Sequence, residues 1–348
     1  MSLANLNHLL EKTCDWDKDE RYMATSDLCN ELQKDIKIDA TMERRICAAV
    51  LKQLDDTSND VQSIAVKCLG ILLKKVQEAQ VGEICDKLCT LILEGKAELR
   101  DIYSIGLKTL ISDVPDAMGP SVAQRLTLRL LAGVQQNDDV EIKLQCLDNL
   151  TDLLKRFGRA VEAEHDGLTA AALAQLAHAR PVVRKRAAAC LGTVAVVASD
   201  PLLNRLTETL LTQIEAPTGG HDVRTLVQTI GTLSRTVGYR LGRHLDRVVP
   251  LFLRFCGDPR DEDHHTEAAN ELRENCFQGF ESFVLRCPRE VAPHLSAVVQ
   301  ASLNFLTFDP NYCYGSDDEG GAGGDEDMDG GSGEEEFSDD DFGGGSDD

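Results

Sequence analysis

The stretch "VRKRAAACL" at residues 183–191 opens on an apolar residue, follows it with a basic one, and carries a small residue at +4 and an apolar one at +8. Positions 0, +4 and +8 lie on one face of a helix. Val183 and Leu191 are therefore expected to be buried, and Ala187 between them must be small because a neighbouring helix comes close. The pattern recurs in "VQSIAVKCL" (61–69), "LRDIYSIGL" (99–107), "IKLQCLDNL" (142–150) and "LRENCFQGF" (272–280). Weaker copies are "ERYMATSDL" (20–28) and "VRTLVQTIG" (223–231).

The copies start 41, 38, 43, 41, 40 and 49 residues apart. A period of roughly 40–47 residues is that of HEAT and armadillo helical repeats. Ala24, Ala65, Cys146, Ala187 and Cys276 fill the small slot, whereas Tyr103 and Val227 mark the third and sixth repeats as looser or differently packed. Further amphipathic segments precede these helices, at 42–54, 81–93, 121–134 and 243–256, so each unit reads as helix, turn, helix. The expected fold class is all-α, a HEAT-repeat α-solenoid of about seven and a half helical-hairpin units over residues 1–314. The long last interval comes from "GDPRDEDHHTEAANE" (257–271), expected to be an exposed, mobile polar loop inside the seventh unit. Residues 291–306 are expected to form the first helix of an eighth unit with no second helix. Val291, Leu295, Val298, Leu303 and Leu306 make its apolar face, which needs a partner to cover it.

Composition limits the function classes. Only 5% of the 348 residues are aromatic, which suits thin stacked layers better than one thick core. The net charge is −23, but 15 acidic residues and no Lys or Arg fall in 315–348, which leaves −8 on residues 1–314. That acidic, glycine-rich tail is expected to be disordered and self-repelling. Ser316 and Ser338, each followed by acids, are candidate sites for an acid-directed kinase. Neither part carries the basic stripe that nucleic-acid binding requires. Most of the twelve cysteines sit inside helical patterns as small hydrophobes, the start "MSLANLNHLLEK" lacks a basic n-region, and no run approaches the ~18 apolar residues of a membrane span. The expectation is a reduced, intracellular protein, cytoplasmic and nuclear, with no membrane or nucleic-acid partner.

The basic residues at +1 (Arg21, Arg100, Lys143, Arg184, Arg224, Arg273) follow acids such as Asp222 and Glu271, and read best as an acid–base ladder between adjacent units. The outward +2 and +6 positions are Ser63/Lys67, Asp101/Ile105, Leu144/Asp148, Lys185/Ala189, Thr225/Thr229 and Glu274/Gln278. They make a mixed polar wall that favours a protein partner over DNA or RNA. The cluster "ARPVVRKR" (179–186) reads either as a solvated helix start or as a contact for an acidic patch. Arg184, Lys185 and Arg186, with Lys67, Lys143, Arg224 and Arg273, are the candidate partner contacts. Cys85 and Cys89 are four apart but lack the other two ligands of structural zinc. His264 and His265 are assigned to a solvated loop. No phosphate loop, nucleophile elbow or Cys/His signature is present, and "GGAGG" at 320–324 is flanked by acids. No catalysis, cofactor or metal is expected.

The stretches "LLEK" (9–12), "DKDERYMATSDLCNELQKD" (17–35), "VQSIAVKCLG" (61–70), "LRDIYSIGLKTLI" (99–111), "RPVVRKRAAACLG" (180–192), "ELRENCFQGFESFVLRCP" (271–288) and "LTFDPNY" (306–312) resemble the N-terminal region of the cullin-associated, Nedd-dissociated (CAND) family. The likeness is collinear over about 9–314, and an acidic linker follows in that family too. The resemblance implies a HEAT arm that engages the C-terminal half of an unmodified cullin with its RING subunit and shields the lysine that receives the Nedd modifier. Family members continue for several hundred residues, and their distal part promotes exchange of substrate receptors. The chain is accordingly expected to be part of a longer protein or one half of a split one, with 291–306 docking the distal half. The alternatives are an importin-β-like transport receptor, also a HEAT solenoid, and a phosphatase scaffold subunit, whose units are more uniform.

Overall fold

The computed structural model describes residues 3–34, 38–215, 222–259 and 266–306. All of these belong to one unit, Met1–Phe308, while a second, Asp309–Asp348, lies outside the described residues. The expectations for His264, His265, Ser316, Ser338 and the acidic tail fall on residues not described.

Every regular element among the described residues is a helix. Seven antiparallel pairs follow one another: α1 (Leu3–Lys12) with α2 (Lys18–Gln33), α3 (Ala40–Gln53) with α4 (Asn59–Leu72), α5 (Glu78–Glu94) with α6 (Arg100–Asp113), and α7 (Gly119–Gln136) with α8 (Val140–Phe157). Then come α9 (His165–Gln175) with α10 (Pro181–Val197), α11 (Asp200–Glu215) with α12 (Val223–Val237), and α13 (Leu245–Cys256) with α14 (Glu267–Arg286). The short α15 (Pro288–Val291) and α16 (Leu295–Phe305) end the described chain. All seven copies of the nine-residue pattern fall on second helices, and each second helix packs on the next, from α2 through α14. The result is the HEAT-type α-solenoid that the period predicts.

Local chemistry sets the element boundaries. Asp17, Asp39, Asp139 and Asp222 are N-caps whose carboxylates accept from the backbone N–H of the first turn, satisfying donors that the helix itself cannot. Gly238 (φ +54°) and Gly257 (φ +68°) end α12 and α13 in a conformation that suits glycine. The small slot is real: Ala24, Ala65, Cys146, Ala187 and Cys276 are all buried. So are Tyr103 and Val227. The third unit is differently packed rather than loose, since the Tyr103 hydroxyl donates to Asp55 Oδ1 at 2.5 Å.

Two expectations at the C-terminal end are corrected. The polar loop does not run to 271, because Thr266 caps α14 by accepting from Ala269 N–H, and the acidic Glu267–Glu271 stretch is its first turn. Nor is 291–306 one helix, since a 3₁₀ turn at Ala292–His294 separates α15 from α16.

Candidate functional site

The second helices present their +2 and +6 positions in register. Ser63 and Lys67 on α4, Asp101 and Ile105 on α6, Lys185 on α10 and Glu274 and Gln278 on α14 lie at the surface to differing degrees; Leu144, Asp148 and Ala189 are half-buried. This is the mixed polar wall that the pattern predicts, with one correction. Thr225 and Thr229 are buried. The Thr225 hydroxyl accepts from Arg184 Nε at 3.1 Å, which ties α10 to α12, and the Thr229 hydroxyl donates to the Thr225 carbonyl at 2.7 Å within α12.

The +1 ladder forms between successive units. Arg21 grips Asp56 through Nε (2.6 Å) and Nη2 (2.8 Å). Arg100 meets Asp139 at 3.1 Å, Arg184 meets Asp222 at 3.7 Å, and Arg224 pairs with Glu271. Each acid stands at or near the start of the second helix of the following unit, so the pairs fix how adjacent units sit together. A second set of arginines works at the other end of the helices. Arg156 donates to the carbonyls of Ile111 (2.5 Å), Ser112 (2.5 Å) and Val114 (2.8 Å), which end α6, and to Asp116 (2.7 Å). Arg240 repeats this on α10, donating to Ala195 (3.0 Å), Ala198 (2.7 Å) and Asp200 (2.9 Å). The sequence reading missed this device, although both arginines follow apolar helical runs near a conspicuous turn.

The seven candidate contacts thus divide. Lys143 is buried and its Nζ donates to the Val134 carbonyl at 2.7 Å. Arg273 is buried, donates to the Cys256 carbonyl at 2.9 Å, and lies over the Phe305 ring at 4.4 Å; burial lowers its pKa. These two are packing residues, because a cation placed one step from a buried anchor is drawn into the seam and takes a helix-end carbonyl. Arg184 and Arg224 belong to the ladder. Lys67 and Lys185 make no ion pair among the described residues, and Arg186 is half-exposed with Asp148 at 3.4 Å. Burial raises the Asp148 carboxyl pKa against the pull of Arg186 and Lys108. The accessible basic groups on this face include Lys67, Lys108, Lys185 and Arg186, spread over three helices.

The apolar face of the last helix divides as well. Val291 and Val298 are in the core and cannot meet a partner. Leu295, Val299, Leu303 and Leu306 are exposed on one stripe of α16, Leu306 at 78%. Phe305 holds the helix to α14 through an edge contact with Phe277 at 5.9 Å.

Cys85 and Cys89 are fully buried, and burial pushes both thiols up to about 12. Among the described residues no group of three or more His, Cys, Asp or Glu is placed to hold a metal ion. No described helix is long and apolar enough to cross a membrane.

No family model matches the chain. Individual proteins do. The chain is 42% identical over 322 residues to cullin-associated NEDD8-dissociated protein 2 of Mus musculus, covering 90% of this chain and 25% of that protein. It is 41% identical over 315 residues to cullin-associated NEDD8-dissociated protein 1 of Drosophila melanogaster, covering 89% and 24%. It therefore spans about a quarter of the length of these relatives. A third relative, the N-terminal part of cullin-associated NEDD8-dissociated protein 1 of Emericella nidulans, is 26% identical, with 75% of this chain and 86% of that protein covered. Among solved structures, importin β shares the fold at a TM-score of 0.58 and 12% identity, over 87% of this chain and 40% of that one. Yeast importin-β (Kap95p) does so at 0.56 and 11%, over 86% and 39%. Such low identity carries the architecture alone. Sequence likeness at about 40% over nine-tenths of the chain carries descent: this chain is homologous to cullin-associated NEDD8-dissociated proteins over the quarter of their length that it spans.

Proposed function

We propose that this chain is a non-catalytic scaffold that binds the C-terminal half of an unmodified cullin with its RING subunit, in the cytoplasm and nucleus, and shields the lysine that accepts the NEDD8 modifier. The observation that carries the reading is the likeness to cullin-associated NEDD8-dissociated proteins over 90% of the chain. The physical surface agrees with it: an extended polar wall along second helices, with Lys67, Lys108, Lys185 and Arg186 accessible, suits a large protein partner carrying acidic patches. Receptor exchange in SCF-type ligases is assigned to this arm acting with a distal half. The stripe of Leu295, Val299, Leu303 and Leu306 is the surface on which that half docks. The importin-like reading rests on fold alone and gains nothing from 12% identity.

Co-elution with a cullin–RING core, unmodified and NEDD8-modified in parallel, tests the proposal. Selective retention of the unmodified core supports it, and retention of neither core refutes it. Leu303→Asp should remove association with a distal CAND half without affecting the cullin arm of the experiment.

A further inference from the structure

Trp16, the single tryptophan of the chain, is 92% exposed in the turn between α1 and α2. The turn that carries it is nonetheless firmly held. Arg21, locked to Asp56 of the second unit, donates through Nη1 to the carbonyls of Asp15 and Trp16, both at 3.0 Å, and Asp15 Oδ1 accepts from Asp17 N–H at 3.1 Å.

The same turn is built again before α10 without an aromatic residue. Arg184 donates to the carbonyls of His178 and Ala179, both at 3.0 Å, and His178 Nδ1 accepts from Arg180 N–H at 3.1 Å. Ala179 is thus the counterpart of Trp16, so the fold does not require an indole there. A tryptophan displayed on a rigid turn is the residue type that anchors protein interfaces.

Its surroundings specify the partner. Asp19, Glu20 and Met23 are exposed on the adjoining first turns of α2, and Tyr22 is 40% exposed beside them, on a helix that packs on α4 among the described second helices. Residues 11–20 hold five acids, Asp19 among them, and two lysines. Lys12 neutralises Asp15 and Glu20, at 3.1 and 3.2 Å, while Asp17 and Asp19 make no salt bridge among the described residues. An aromatic face beside unneutralised carboxylates attracts a guanidinium or ammonium group. We propose that Trp16, with Asp17, Asp19, Tyr22 and Met23, forms a docking surface at the N-terminal edge of the solenoid for an arginine- or lysine-bearing segment of a protein partner.

The lone indole reports on its own site. Its emission is followed while the full chain is titrated with an (Arg-Gly)6 peptide at about 0.15 M salt, where surface charges still act over a Debye length, with (Glu-Gly)6 as the control. The double variant of Asp17 and Asp19 keeps the acidic residues 315–348, so peptide bound only there would give the same midpoint in both proteins. The expected result is a saturable emission change with the arginine peptide alone, its midpoint about tenfold higher in the Asp17→Asn/Asp19→Asn protein, where an asparagine side chain at the N-cap position still caps α2. No change at millimolar peptide, an unaltered midpoint in the double variant, or an equal response to (Glu-Gly)6 overturns the proposal. An emission that depends on protein concentration without peptide also overturns it, by making a second copy of the chain the occupant. Trp16→Ala is expected to melt with the parent protein, as the Ala179 turn implies; a lowered melting temperature would make the indole a structural residue and overturn the assignment.

Discussion

At the scale of single residues, the decisive quantity is whether a cation on the second helices has water around it. Lys143 and Lys185 are both basic residues near the start of such a helix, yet one is buried against the Val134 carbonyl and the other is exposed. Lys143→Met leaves that carbonyl without its partner and should cost about 1–3 kcal/mol in denaturant unfolding. Lys185→Glu should stay within about 0.5 kcal/mol. Charge reversal of the whole Arg184, Lys185 and Arg186 cluster is then a poor probe of binding, because Arg184 ties α10 to Asp222 and to its own turn. Asp148 gives a pH-dependent case. Burial raises its pKa in the folded protein, so the folded state holds its proton more tightly than the unfolded chain and stability falls as pH rises through that window. Asp148→Asn is expected to raise the unfolding midpoint at neutral pH, with the gain fading below the ordinary aspartate value of 3.8. A lower midpoint at neutral pH would mean that the 3.4 Å pair with Arg186 outweighs the burial.

At the scale of elements, a nine-residue pattern located every second helix because one small slot between two buried anchors is a strong geometric requirement. It could not say where α14 begins. "TEAANE" looks like loop by composition, but the Thr266 hydroxyl and the acids behind it make a favourable helix start. Nor could apolar periodicity divide Val298 from Leu303, since both lie on the apolar side of α16 and only the position of α13 and α14 decides which is covered. The exposed basic residues were legible as a group but not one by one, for the same reason. Close helix approach gives a direct test: a Cβ on Gly279 would meet the buried Phe252 ring at 2.6 Å, so Gly279→Ala should overpack the α13–α14 seam and cost about 1–3 kcal/mol. In α16, amide hydrogens should exchange far faster than in α10, because one flank of α16 is open while α10 is packed between α8 and α12. Equal protection of the two helices would show that something already covers the leucine stripe.

At the scale of the whole solenoid, each unit touches its neighbours and little else, so stability is nearly a sum over units and the interfaces between them. Local damage should then have a local radius. Ala187 and Cys276 occupy the same slot, fully buried, in the fifth and seventh units. An aspartate at either position places an unpaired charge in a dry seam, at a cost of roughly 3–5 kcal/mol. The consequences differ by position. Cys276→Asp should release α13 to α16 while the units before them keep their protection, giving a small early transition followed by a main one near the parent midpoint. Ala187→Asp breaks the stack in its middle, where α10 links α8 to α12, and should separate unfolding into two transitions of comparable size. Hydrogen exchange resolved by segment across a denaturant series distinguishes these cases. A single cooperative transition in both variants would show that the paired arginine ladders, Arg21 to Asp56 along one end and Arg156 and Arg240 along the other, couple the units more strongly than nearest-neighbour packing does.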